Sequence, residues 1–383
     1  MSGTTGTGLP GSPTTLFDHA LRLHELAPEE PLHRDGEPYP DDGSHRRRRG
    51  LRAREGRHSA GKGAALILDR HFARISSLPA ELADAFHDVY VPILPNEHIA
   101  AVAERADRKR VRHTGRWLVR HGSDRCSVTV GLALLAAAGS AEDIPLIRTI
   151  GLLSYQFGPL AARALERQPE GAEALLWLAE RVTGWGRVYV VEALCGLDDP
   201  AVRSWLLRRA CDGDFLNGYF AGKVATVARL HEALADLETD SEMVDHTGRL
   251  LHCMSDCDGM GLTLARYPHA KAVLEAHARH VGSLSPTTER YFTIALLTQH
   301  LTTEPPEATR CSATQREAIR ATYLEILDRA EWTRTARAGL AADDNRMRWL
   351  TDHRAPRLRL RAFPDREPDI GEQHTPGVND LRR

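Results

Sequence analysis

Gly56-Arg-His-Ser-Ala-Gly61-Lys62-Gly63 stops one residue short of a phosphate-binding loop. That loop needs Ser or Thr after the lysine to reach a metal ion, and a buried strand in front of the first glycine. Gly63 stands at the first place and the charged stretch Leu51-Arg-Ala-Arg-Glu55 at the second, so both requirements fail together. The run is read as a linker into a helix that starts near Ala64, with no ATP or GTP site. His252, Cys253, Cys257 and Asp258 crowd another short stretch, with Asp245 and His246 just upstream. Cys253-x3-Cys257 on a helix offers two thiols to one face, but tetrahedral zinc needs a second converging pair, and none follows. These thiols are read as small buried side chains, and neither a metal nor a cofactor is expected. The pairs His87-Asp88 and Glu97-His98 suit acid/base work, yet nothing in their spacing orients a catalytic arrangement. No catalytic residue is assigned.

Two further groups suit binding. Arg105, Arg108, Arg112, Arg116 and Arg120 recur at helical spacing, flanked by Lys109 and Arg110, and would place five guanidinium forks on one face for phosphates or an acidic protein surface. Trp117 is the one aromatic among them, which is too few for a base-stacking platform. In Gly184-Trp185-Gly186-Arg187-Val188-Tyr189-Val190-Val191-Glu192 the residues Trp185, Tyr189 and Glu192 share a helical face. The two glycines there leave backbone amides that could hold an anion. Arg187 and Glu192 would be costly to bury without partners, so Trp185, Arg187, Tyr189 and Glu192 are taken as the contact segment.

The elements that must carry these groups are helices. Asp199-Pro200 reads as N-cap and first helical position; Ser140-Ala-Glu-Asp143 and Ser285-Pro286 are further start signals, and Ser312-Ala-Thr-Gln315 is a capping box. Leu175, Leu178 and Val182, then Val202, Leu206 and Ala210, then Ile319, Tyr323, Ile326 and Leu327 each recur on one helical face. Strand signals are nearly missing, since the β-branched cluster Val188-Tyr189-Val190-Val191 lies inside a helical pattern. First helices of candidate pairs start near Cys126, Phe157 and Trp185, and second helices near Ala141, Gly171 and Asp198, a period of about 27 to 31 residues.

Composition sets the frame. The chain has 383 residues, with 50 Lys+Arg against 52 Asp+Glu, so a globally basic nucleic-acid binder is disfavoured. Lysine occurs only at Lys62, Lys109, Lys223 and Lys271, an arginine bias that reads as genomic. Cys126, Cys195, Cys211, Cys253, Cys257 and Cys311 are scattered without a disulfide-scaffold pattern, so reduced thiols are expected. No basic stretch followed by an apolar one opens the chain, and no apolar run reaches the ~20 residues of a membrane span. A cytoplasmic protein without a membrane partner is expected. Residues 1–63 and 356–383, rich in Gly, Pro and Arg, are read as mostly disordered tails around a helical repeat domain over 64–355, the amphipathic Leu16 to Leu26 stretch excepted.

Leu197-Asp-Asp-Pro-Ala-Val-Arg-Ser-Trp-Leu-Leu207 resembles the short HEAT-like repeats of bacterial proteins, over about Arg125 to Leu237. The resemblance implies an all-α solenoid of helix pairs whose inner, concave helices carry the ligand-contacting residues. It also implies a non-catalytic scaffold for a protein or peptide partner. Two alternatives stay open. One is a nucleic-acid-associated protein of HEAT-like type using the arginine stripe. The other rests on the Trp-Gly-Arg segment, which is similar to bacterial proteins carrying a limonene hydroxylase label, although no dinucleotide fingerprint, haem-cysteine context or facial-triad spacing accompanies it.

Overall fold

The computed structural model describes residues 14–45, 59–235 and 239–363. Among the described residues all regular structure is helical, with nineteen α-helices, a few single 3-10 turns and no strand. No helix among them is long and apolar enough to cross a membrane. The chain divides into two compact units, residues 1–197 and 198–383.

The first unit holds α1 (Leu16–Leu26), α2 (Lys62–Ala73), α3 (Glu97–Arg105), α4 (Arg108–His121), α5 (Arg125–Ala138), α6 (Ile144–Gly151), α7 (Ser154–Glu166), α8 (Gly171–Ala179) and α9 (Gly184–Leu194). Side chains of Thr15, Asn96, Asp107 and Asp124 accept the first free amides of α1, α3, α4 and α5, as short polar side chains do at N-caps. Helix α5 is apolar on nearly all sides, with Val128, Val130, Leu132, Leu134 and Leu135 fully buried. The cause is its position, packed between α3, α4 and α7. A Cβ on Gly115 of α4 would lie 3.0 Å from the Gly131 carbonyl oxygen of α5, so the two glycines permit that close crossing. Helices α5, α7 and α9 are successive neighbours in one row, and α4, α6 and α8 in another; α6 and α8 also pack on α7.

The N-terminal segment is built into this unit, which corrects the tail expected over 1–63. Leu16 and Ala20 are fully buried, and α1 lies against α4 and α6. Beyond it, Asp41 accepts from the Arg125 backbone amide at 2.9 Å and from its guanidinium, anchoring residues 39–42 to the start of α5. Arg181 donates to the Pro28 carbonyl at 2.7 Å. Polar residues whose partners lie more than eighty positions away therefore tie down a stretch that its own apolar content would not order. Residues 1–13 and 46–58 of that expected tail lie outside the described residues.

The second unit holds α10 (Pro200–Arg209), α11 (Ala221–Val227), α12 (Leu230–Ala233), α13 (Ser241–Ser255), α14 (Ala270–Val281), α15 (Thr288–Thr303), α16 (Ala313–Leu327), α17 (Ala330–Ala341), α18 (Asn345–His353) and α19 (Ala355–Leu358). Helix α13 packs against α10, α11, α14 and α15, and α15 against α16, α17 and α18. Asp199 caps α10 with Pro200 at its first position, and the Ser312/Gln315 capping box opens α16. The start expected at Ser285-Pro286 moves two residues on, because the Thr287 hydroxyl accepts the Arg290 amide. The C-terminal boundary at 356 also shifts, since Leu358, Leu360, Ala362 and Phe363 are buried and Phe363 packs edge-on against Tyr291 of α15. Residues 364–383 lie outside the described residues.

Candidate functional site

The Trp185 segment forms α9, and Trp185 and Tyr189 stack there with ring centroids 6.0 Å apart and planes 26° apart. Tyr189 lies over Gly158 of α7, where an added Cβ would come 3.3 Å from its ring. Burial, and then the neighbouring Tyr155 and Glu192, push the Tyr189 hydroxyl above its ordinary pKa. Tyr155, 58% exposed and one turn before Gly158, extends this surface; only its helical phase relative to Gly158 could have revealed it in the sequence. Glu192 is exposed on the same side. Arg187 does not join them, which corrects its placement in the contact segment. It is 8% exposed and its Nη1 donates to the Ala179 carbonyl at 2.8 Å, because the guanidinium closes the C-terminal end of α8. Gly186 serves packing: a Cβ there would meet Ser154 Oγ at 2.0 Å, so the glycine lets α9 lie close against the start of α7.

The arginine stripe is broken. Arg105 ends α3, the chain turns at Ala106, and Asp107 caps α4, so the five guanidiniums do not share one helix. Four of them meet carboxylates. Arg105 pairs with Asp69 at 3.0 Å, and Arg120 with Asp18 of α1 at 2.7 Å. Arg112 reaches Glu142 at 2.7 Å and Asp143 at 2.9 Å, and Arg116 reaches Asp143 at 2.6 Å. Arg108 is exposed. Alternation of charge along one helix cannot reveal such pairs, since Asp18 and Asp143 come from other elements.

The pairing shapes a groove. His113, Arg116, Trp117, Arg120 and His121 of α4 line it together with Leu146 of α6, around a cleft of about 360 Å³. Trp117 is half-buried against the core of the unit, and His121 tilts over it at 5.2 Å. The Arg120 guanidinium sits 4.6 Å from the Phe17 ring centroid while its Nη1 holds Asp18. An open, partly apolar cleft of this size, flanked by fixed guanidinium groups, can take a side chain or a small planar group beside an oxyanion.

The remaining candidates resolve into structure. Lys62 is the exposed first residue of α2, and Gly61 before it has φ +85° with the Asn96 side chain packed against it. His246 is fully buried: its Nε2 accepts the Cys211 amide at 2.9 Å, which leaves Nδ1–H to donate to the Leu207 carbonyl. Burial raises the Cys257 thiol, and among the described residues no three His, Cys, Asp or Glu side chains converge as metal ligands. Sequence reasoning missed Asp35, whose carboxylate accepts from Ser154 and Tyr155 at the start of α7 and from the Tyr39 hydroxyl.

Comparison of the chain with protein-family models, with curated proteins and with solved structures finds no match.

Proposed function

We propose that this chain is a non-catalytic helical-repeat scaffold, of HEAT-like type, that holds a protein or peptide segment in the groove between α4 and α6. The observation that carries the reading is that groove: an indole and a leucine at its base, two arginines and two histidines along it, and about 360 Å³ of open space. The repeat part is supported by α5, α7 and α9, which start at Arg125, Ser154 and Gly184, 29 and 30 residues apart, and pack as successive neighbours. Tyr155, Trp185, Tyr189 and Glu192 are proposed as a second contact surface on that row.

The test is selection of random displayed dodecapeptides on the full chain, followed by affinity measurement on Leu146→Glu, which places a carboxylate beside Trp117. Selected peptides that bind the parent are expected to lose about tenfold or more in affinity on the variant, with the melting temperature nearly unchanged. Peptides that bind both equally would place recognition elsewhere.

A further inference from the structure

We infer that the joint between α12 and α14 is an acid-operated latch, in which the His231 and His269 rings stay stacked while uncharged and part when both take up a proton.

The two rings lie face to face. Their centroids are 3.5 Å apart and their planes 5° apart, which seats α12, a helix of one turn, on the residue that precedes α14. Tyr267, fully buried, braces His269 edge-on at 5.8 Å. Uncharged rings at this separation are in van der Waals contact. Two imidazolium rings there would hold like charges against each other, which repel.

The hydrogen bonds of His231 set the same limit. Its Nδ1 is buried and finds no hydrogen-bond partner among the described residues, while its Nε2 lies 3.9 Å from Glu232 Oε1. A neutral ring can leave Nδ1 bare and keep its proton on Nε2. An imidazolium is protonated on both nitrogens, so in the stacked position one N–H would be buried without an acceptor.

The surroundings offer little to offset a second charge. The charged groups that face His231 are His269 from α14, and Glu232 and Arg229 from its own turn. Glu232 is already shared with Arg229, at 3.6 Å, and with Arg203 of α10, at 3.9 Å. His269 is the N-cap of α14, at the positive end of that helix's dipole. One carboxylate therefore stands against two arginines and, in acid, two imidazoliums. Burial, and then His269, hold the His231 pKa below its ordinary value. The unfolded chain binds that proton more firmly, so the joint loses stability as pH falls through the lowered value.

The latch holds a turn under strain. The chain enters α12 through Arg229 at φ +51°, a left-handed conformation that a residue with a side chain keeps only where its neighbours impose it. The other ties of this turn are the buried Leu230 and Leu234 and the bond from His280 Nε2 of α14 to the Leu234 carbonyl, at 3.0 Å. Parting of the rings loosens the turn and leaves α14 in place.

The experiment follows amide hydrogen exchange of the full chain at about pH 7.5 and about pH 5, corrected for the intrinsic exchange rate, in the parent and in His269→Phe, which keeps a ring on His231 that cannot charge. The reporters are the Ala233 and Leu234 amides, which donate to the Arg229 and Leu230 carbonyls at 3.2 and 3.0 Å. Acid is expected to lower their protection about tenfold or more in the parent and less than about twofold in His269→Phe. His231→Phe is the second variant and is expected to behave as His269→Phe does. Equal protection of the parent amides at both pH values would overturn the latch. An equal acid loss in the parent and both variants would overturn it too, by assigning the response to His280. A parallel loss at the Leu274 and Ala278 amides would overturn it as well, because acid would then be loosening α14 as a whole.

Discussion

The Asp35 carboxylate accepts both the backbone amide of Ser154, at 2.7 Å, and its hydroxyl, at 2.6 Å, so the N-cap of α7 comes from a residue 119 positions earlier. The Tyr155 amide at 2.8 Å and the Tyr39 hydroxyl at 2.7 Å complete the set. Arg34, Asp35 and Gly36 all have positive φ, a strained turn that aims the carboxylate at the helix.

Removal of that acceptor should be costly. Asp35→Ala leaves two amides and two hydroxyls without it and is expected to destabilise the first unit by about 2–4 kcal/mol, read from urea denaturation. Burial outweighs the hydrogen bonds and raises the Asp35 pKa. The folded state then holds its proton more firmly than the unfolded chain does. Parent stability relative to Asp35→Asn should therefore rise as pH falls from neutrality towards the ordinary carboxylate range. A difference that shrinks instead would refute this sign.

His277 makes the opposite prediction. Its Nδ1 lies 2.8 Å from the Tyr323 hydroxyl, which donates in turn to the Leu274 carbonyl at 3.3 Å, so Nδ1 carries the imidazole proton. Burial, with a smaller contribution from His280, lowers its pKa from 6.5 to about 3. Stability from this group is present above the unfolded value and lost as pH falls through the window down to about 3. Across that window the parent should lose roughly 3–5 kcal/mol more than His277→Gln, compared by denaturation at stepped pH.

Gly61 and Lys62 separate backbone from chemistry. Gly61 has φ +85°, and a Cβ there would lie 2.5 Å from Asn96 Oδ1, so Gly61→Ala should cost about 1–3 kcal/mol. Lys62→Ala, on an exposed first helical position, should change stability by about 0.5 kcal/mol or less. It should also leave peptide binding unaltered. Saturable ATP binding by the parent that disappears in Lys62→Ala would reverse the reading of this loop.

What could be read from the sequence was local. Asp199-Pro200, Ser312 with Gln315 and the apolar faces around Tyr323 and Leu206 depend on neighbours three or four residues away, and those helices form as the spacing requires. The missed features depend on distant partners. Asp35, Asp41 and Arg181 sit in or against a Pro- and Asp-rich stretch that reads as tail, until residues from α5 and α7 supply its hydrogen bonds. The arginine stripe was visible as spacing, but its break at Asp107 and its carboxylate partners were not, since a cap and a linker residue look alike until the chain turns. Trp117 was visible and undervalued, because Leu146 completes its groove from another helix.

Arg187 and Trp185 differ in the mutational signatures expected of them. Arg187→Ala removes a buried guanidinium that donates to Ala179 and should lower stability by about 2–4 kcal/mol. Trp185→Ala, at a half-buried ring stacked on Tyr189, should cost about 1–3 kcal/mol. Thermal melts of both variants test the order, and an Arg187→Ala melt equal to the parent's would restore that residue to the surface.

Asp143 is the strongest test of how the groove is held. It is fully buried, its Oδ2 accepts from Arg112 Nε at 2.9 Å and from the Ser140 amide at 2.8 Å, and its Oδ1 faces Arg116 Nε at 2.6 Å. Asp143→Ala leaves the Ser140 amide without its acceptor and the partly exposed Arg112 and Arg116 with Glu142 alone, so it should cost about 2–3 kcal/mol. The Arg120–Asp18 pair offers a control of the same chemistry at the surface, where both side chains are nearly half exposed. Asp18→Ala should cost about 0–1 kcal/mol, a loss that disappears in molar salt, whereas the Asp143→Ala loss should persist there. Because Asp143 orients Arg116, Asp143→Asn should also weaken any Leu146-dependent peptide, even at temperatures where the variant is fully folded. Unchanged peptide affinity in a folded Asp143→Asn protein would mean that Arg116 orientation is irrelevant to recognition, and that Arg120 and Trp117 carry the groove alone.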